Sequence, residues 1–379
     1  MIAILKREWK SYFQNITGWL FIAAVLALYG LYFLAYNLRA GYPYVSYTLS
    51  AISFIMLIAV PILTMRSMAE ERHSRTDQLV LTAPVSLGKM IFGKFLAMVG
   101  VFTVAVAVIA VTPLVLAAFG TVPMGENYVA VLGFWLYGCT CIAVGMLASA
   151  LTESQVIAAV VAFAFLFLGY MMNSITGLIG DHLITKVLGA YDLYTPLQSF
   201  MSGCLDLTGV VYFVSVTALC LFLTCQCVQK RRWSMTTKKL TTGMFSVAMI
   251  VVGFAVAVAV NMVVKEMPSS WTAVDATSTK LYSLTDTTKD YVKNLSQDVT
   301  IYVLSSEKSA DSTLAETLQR YEDLSKHLNV VYKDPAKSPN FYQQYTDSAP
   351  SQNSMIVVSD ARSRVVDYSD IYEYSYDYS

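Results

Sequence analysis

Seven windows free of charged residues, 11–38, 40–65, 95–125, 127–152, 154–180, 207–229 and 240–264, constrain this chain more than any other feature. Each is longer than the roughly 20 residues a helix needs to cross the hydrocarbon core of a bilayer. A helix satisfies its own backbone polar groups, whereas an open strand in lipid leaves them without partners. The windows therefore predict seven transmembrane helices. Composition agrees: 56% of the residues are hydrophobic and 14% charged, which excludes an ordinary soluble protein. A net charge of zero conceals a split. Residues 1–264 hold 15 Lys+Arg against 9 Asp+Glu, and residues 265–379 hold 11 against 17. That acidic tail argues against nucleic acid as a partner.

One long charged run interrupts the first 228 residues, at 65–94, MRSMAEERHSRTDQLVLTAPVSLGKMIFGK. It sets Arg66, Arg72, Arg75, Lys89 and Lys94 against Glu70, Glu71 and Asp77, so the positive-inside rule places it in the cytoplasm. Lys6, Arg7 and Lys10 fall on the same side, as do Lys230, Arg231, Arg232, Lys238 and Lys239. That makes thirteen basic residues inside against two, Arg39 and Lys186, outside. The bias predicts a multi-pass protein of the bacterial inner membrane with a cytoplasmic N-terminus. Residues 265–379 are then extracytoplasmic.

Residues 1–16 place Ile2, Leu5, Trp9, Tyr12 and Phe13 on one helical face beside Lys6, Arg7, Glu8 and Lys10, as in a helix lying in the membrane interface. Pro61 and Pro113 fall inside the second and third windows, where lipid-embedded helices tolerate kinks. The stretch 193–205 is uncharged but too short to span, and reads as an interfacial or re-entrant segment. A basic, Thr-rich linker at 230–243 leads to the seventh helix, at 244–264.

Several of these residues carry a resemblance. The acidic pair Glu70-Glu71, Thr76 with Leu79, the run Pro84-Val85-Ser86 and then Gly93-Lys94 resemble the connector between the second and third helices of type-2 ABC exporter permeases, with Arg75 where that family usually has Gly. The resemblance implies a coupling helix that docks on a cytosolic ABC ATPase subunit, here through Glu70, Glu71, Arg72, Thr76, Leu79 and Pro84. Residues 1–16 are similar to the amphipathic elbow that opens such permeases. The stretch 191–213, YDLYTPLQSFMSGCLDLTGVVYF, looks like their outer part, where short re-entrant helices cap the exit path. The family also implies a homo- or heterodimer of permease subunits in membrane lipid. ATP and Mg would sit on the partner, with no cofactor in this chain. Residues 1–229 are thus the expected six-helix permease domain, and the seventh helix exceeds that plan.

After residue 264 the pattern is that of a small α/β domain, 265–379. Ser283 or Thr285 can cap a helix within 280–295, and VTIYVL at 299–304 is a strand. Leu314, Leu318, Tyr321, Leu324 and Leu328 recur at helical spacing over 311–328. A strand at 328–333, a short helix near 340–345 and a hairpin of 355–358 with 365–368 follow. The run Lys280–Leu284, then VTIYV, Asp334-Pro335 and the 356–367 hairpin resemble the outer domain of the auxiliary protein in gliding-motility (Gld-type) ABC transporters. The whole reads as a Gld-type permease fused to the first part of that auxiliary protein, a truncated fusion. The fold class expected is an α-helical membrane protein, a six-helix bundle plus a seventh helix, followed by a small α/β domain.

Catalytic chemistry is missing. Gly88–Lys94 satisfies G-x-x-x-x-G-K, but Phe95 follows where a P-loop needs Ser or Thr for the metal, and no buried strand precedes it. His73, His182 and His327 are isolated, and six cysteines lie in or beside apolar windows without a histidine near them, as small apolar residues do. Glu153 and Asp181 flank the fifth window and read as solvated loop ends. The sequence therefore predicts a transport subunit that depends on a partner ATPase, with no catalytic residue or metal ligand of its own. A membrane anchor that presents an outer domain to an envelope or gliding assembly is the alternative.

Overall fold

Asn15 divides the N-terminal apolar stretch. Before it, α1 (Ile2–Gln14) is the expected amphipathic helix; after it, α2 (Ile16–Phe33) is apolar all round and ends in a π-helical turn, Leu34–Arg39. Trp19 Nε1 donates to Phe13 O at 2.9 Å across the break, and its ring meets Phe13 edge-on, which fixes the angle between the helices. The structure, a computed structural model, describes residues 2–74, 86–179, 188–231, 239–265, 267, 272–277, 284–306, 309–359 and 362–371.

Among the described residues of the membrane unit follow α3 (Val45–Thr64), α4 (Arg66–His73), α5 (Leu87–Ile109), α6 (Thr112–Ala117), α7 (Met124–Leu151), α8 (Gln155–Ile179), α9 (Tyr194–Met201) and α10 (Leu207–Arg231). α11 (Lys239–Lys265) completes it, so the seventh helix starts earlier than 244 and takes up part of the expected linker. Among the described residues seven helices are long and apolar enough to cross a membrane, at 16–39, 45–73, 87–117, 124–151, 155–179, 207–229 and 248–265. The protein is a helical, multi-pass membrane protein.

α7 is buried around most of its circumference, from Asn127 to Ala150, and α3, α5, α8 and α10 pack on it. Such a helix belongs at the centre of a bundle. Pro61 stays inside α3, as expected. The third span instead breaks between Ile109 and Thr112, and Pro113 sits in the first turn of α6, where its missing N–H costs nothing.

At the end of the bundle bearing the 40–44 turn, neutral amides hold the chain. Asn127, 1% exposed, accepts from Val45 N at 2.7 Å and donates to Pro43 O at 3.0 Å. Asn37 donates to Tyr42 O at 2.8 Å and Tyr44 O at 3.1 Å, and Thr48 Oγ1 donates to Asn37 Oδ1 at 2.7 Å. The re-entrant segment is there too. α9 buries Leu197 and Phe200, and the strand β1 (Cys204–Asp206) follows it. β1 pairs antiparallel with β2 (Ala273–Asp275), which comes after α11 and which sequence reasoning missed.

The second unit, essentially 279–379, is a sheet of order β4-β3-β5-β6. Its strands are β3 (Val299–Val303), β4 (Leu328–Tyr332), β5 (Met355–Ser359) and β6 (Ser363–Val366). β3 and β4 are parallel and joined through helix α13 (Ser312–Leu324); β5 pairs antiparallel with β3 and with β6. α12 (Asp286–Lys293) starts where Thr285 Oγ1 accepts from Thr288 N, and α13 where Asp311 Oδ1 accepts from Leu314 N. α13 ends at Leu324 instead of reaching 328, because Ser325 is already extended on the way into β4. Val292, Ile301, Val303, Leu314, Leu318 and Leu328 form its core.

Candidate functional site

The break between α3 and α4 is held from another span. A helix start leaves its first N–H groups without partners. Here Met68 N and Ala69 N both donate to Ser149 Oγ of α7, each at 3.1 Å, and that hydroxyl donates to Met65 O at 3.0 Å. One hydroxyl has one proton and two lone pairs, and all three are used. Thr64, just before the break, donates back to Val60 O at 3.0 Å. One turn along α7, Gly145 admits Thr64: a Cβ there would stand 2.3 Å from Thr64 Oγ1.

Beyond the break, α4 carries charges on consecutive positions, which an α-helix projects about 100° apart. Glu70 therefore bonds within α4, while Glu71 and Arg72 each reach a different neighbour. Glu70 takes Arg66 with both oxygens, at 2.7 and 2.9 Å, and Arg66 Nη1 donates to Thr17 Oγ1 at the start of α2, at 3.0 Å. Glu71 pairs with Lys94 Nζ of α5 at 2.7 Å. Arg72 pairs with Glu153 at 2.7 Å and donates to Leu151 O at 3.3 Å, at the junction of α7 and α8. Glu153, expected as a solvated loop end, is a partner of α4.

Lys94 is the centre of this cluster. Its side chain is 2% exposed, yet its ammonium also donates to Ser67 O at 2.9 Å and lies 3.6 Å from Glu8 of α1. Arg7 closes the group, 2.7 Å from Glu8 and 3.6 Å from Glu71. The hydrogen bond that Arg7 donates to the Glu8 carboxylate holds the guanidinium protonated beyond its ordinary range. Two cations and two carboxylates thus balance, as a buried ammonium requires. Among the described residues, Ser67 Oγ is the buried side-chain polar atom without a hydrogen bond, and it sits in the first turn of α4.

Of the residues expected to couple to a partner, Glu70, Glu71 and Arg72 lie on α4 and are brought together. Thr76, Leu79 and Pro84 lie outside the described residues. Lys94, Glu8 and Ser149 were not singled out as a site. The signal for Lys94 was present: a lysine one turn or more into an apolar helix, between Phe92 and Phe95, demands a carboxylate. The G-x-x-x-x-G-K run is itself helical from Leu87, and its lysine is engaged by Glu71, so it cradles no phosphate. Among the described residues no group of His, Cys, Asp or Glu has the makings of a metal site, and the cysteines are free thiols.

Comparison with known proteins agrees with this architecture. No curated protein matches the chain. Residues 278–371, the sheet-bearing unit, match a domain of unknown function, DUF7088. Residues 36–228, half of the 379-residue chain and the part that runs from the end of the first span through the sixth, match the ABC-2 family transporter proteins. With its bundle centred on α7 and its charged break after α3, the chain belongs to the ABC-2 family of transporter proteins.

Proposed function

We propose that this chain is the membrane-spanning subunit of an ABC exporter and that a separate cytosolic ATPase drives it through α4 and the connector that follows. The observation that carries this reading is the set of contacts from α4 around one capped break: Glu71 pairs with Lys94, Arg72 pairs with Glu153, and Arg66, held by Glu70 within α4, donates to Thr17. A displacement of α4 is felt at once by α1, α2, α5 and the α7–α8 junction. The bias of thirteen basic residues to two supports placing this end in the cytoplasm. Two packings of α4, one with Ser149 as its cap, form the kind of two-state element on which a partner's ATP cycle can act. In this reading the chain works as a dimer of permease subunits, and Thr76, Leu79 and Pro84 belong to the docking surface.

The test is cross-linking in the co-purified complex. Cysteines at Thr76 or Leu79 should cross-link to the ATPase subunit, and Glu70→Lys with Glu71→Lys should change its ATPase rate. Absence of both effects would leave the anchor reading, in which the chain presents its Gld-like outer domain without transporting anything.

A further inference from the structure

The two ends of one helical hairpin are clipped together. β1 directly precedes α10 and β2 follows α11, and the strands pair in the register Cys204↔Asp275, Leu205↔Val274 and Asp206↔Ala273. The ladder runs one residue further, where Ala276 N donates to Gly203 O at 3.2 Å. Gly203 has φ +81°, which a glycine adopts freely, and a Cβ on it would stand 2.8 Å from Glu126 Cγ. Each strand ends in an aspartate that caps the chain beyond it: Asp206 accepts from Thr208 N at 2.8 Å, and Asp275 from Thr277 N at 2.9 Å. Cys204 and Thr277 are buried, and Ala276 lies against the start of α7 at Gly125.

Deeper in the bundle, α11 is fastened to α10. Asn261 Nδ2 donates to Ser215 Oγ at 2.7 Å, and the Phe222 ring lies on Gly253. Amide-to-hydroxyl bonds of this kind hold helices together in lipid, where apolar contact alone gives no preference. The seventh helix is therefore fastened to α10, although it lies outside the stretch that matches the transporter family.

We infer that the β1–β2 clip makes the chain leading into the outer domain a brake on the re-entrant segment. α9 is separated from β1 by only Ser202 and Gly203, so α9 cannot lift its buried Leu197 and Phe200 off the bundle without parting the ladder. A two-stranded ribbon this short is marginal by itself. It opens when its surroundings shift, and a load on the outer domain's leading chain keeps it shut or pulls it apart. This inference does not depend on the coupling role of α4.

The experiment uses the full chain in lipid nanodiscs, without any ATPase, so its failure is distinct from failure of the exporter reading. Leu205→Cys with Val274→Cys is combined with a protease site between α10 and α11. After oxidation and cleavage the two fragments should stay joined on a non-reducing gel and separate with reductant. Leu197→Cys then reports on the re-entrant segment through its rate of labelling by a membrane-impermeant maleimide, read by peptide mass. Val274→Pro, which removes one ladder N–H, should raise that rate roughly fivefold or more, as loss of a hydrogen bond allows. The oxidised clip should lower it below the parent. Fragments that separate after oxidation, or labelling that oxidation leaves unchanged, overturn the inference whatever Val274→Pro does.

Discussion

The two ends of the bundle are fastened by different chemistry. Around Lys94 the fastening is ionic, made by long side chains on α1, α4 and α5, and it surrounds a helix break with a buried hydroxyl, Ser67 Oγ, left unpaired. Around Asn127 it is neutral, made by two short amides bonded to backbone carbonyls and one backbone N–H, with Thr48 donating to the Asn37 amide oxygen. Short buried amides have few rotamers and fit one backbone geometry. Long charged side chains follow each other over some distance, because Coulomb attraction falls off slowly. The ionic end is therefore the adjustable one, and the amide end the fixed one.

Breaking each fastening should expose this contrast. Lys94→Met leaves Glu71 and Glu8 without their buried ammonium, with Arg7 still beside both, and removing one partner of a buried pair costs about 3–5 kcal/mol. The purified protein should lose much of its thermal stability by fluorescence-detected size exclusion, and adding Glu71→Gln should restore part of it. Asn127→Ala leaves Val45 N and Pro43 O without partners, at about 1–3 kcal/mol. Its effect should be the same at low and high salt, since no charge is involved.

Ser149→Ala removes the cap that α7 supplies to α4, which costs about 1–2 kcal/mol by analogy with caps within a chain segment. It should act mainly at the ionic end, and hydrogen exchange of the Met68 and Ala69 amides should speed up while the Val45 amide stays protected. Arg72→Ala sharpens the comparison from below. Glu153 is 63% exposed, so this pair contributes about 0.2–1 kcal/mol and should fade as salt is raised. Lys94, 2% exposed, should keep its contribution in the same salt series.

How much of this was legible in the sequence follows from the range of the interactions. The spans and the outer sheet were readable, because hydropathy and two-residue alternation are local: VTIYV at β3 and the leucines of α13 announce themselves. Thr285 was readable as one of two candidate caps, beside Ser283, for the same reason, whereas the cap at Asp311 was not singled out. The break at Met65 was not, because its cause, Ser149, stands 84 residues away. Lys94 was legible as a lysine that demands a carboxylate, but which carboxylates answer it, Glu71 and Glu8, was not. The β1–β2 clip joins two three-residue segments, too short to show any period. Glu70, Glu71 and Arg72 were singled out by resemblance alone; the i,i+4 spacing of Arg66 and Glu70 was legible, but nothing in the sequence showed that Glu71 would turn to Lys94 and Arg72 to Glu153.

The account stands on α4 moving while the amide end does not. The direct measurement is pulsed dipolar spectroscopy on the complex with its ATPase, with spin labels at Ser74 and Thr152 at the ionic end and, as the fixed pair, at Tyr42 and Tyr128. The account predicts that trapping ATP changes the Ser74–Thr152 distance distribution and leaves Tyr42–Tyr128 as it was. An unchanged Ser74–Thr152 distance, or an equal change at both ends, would contradict it.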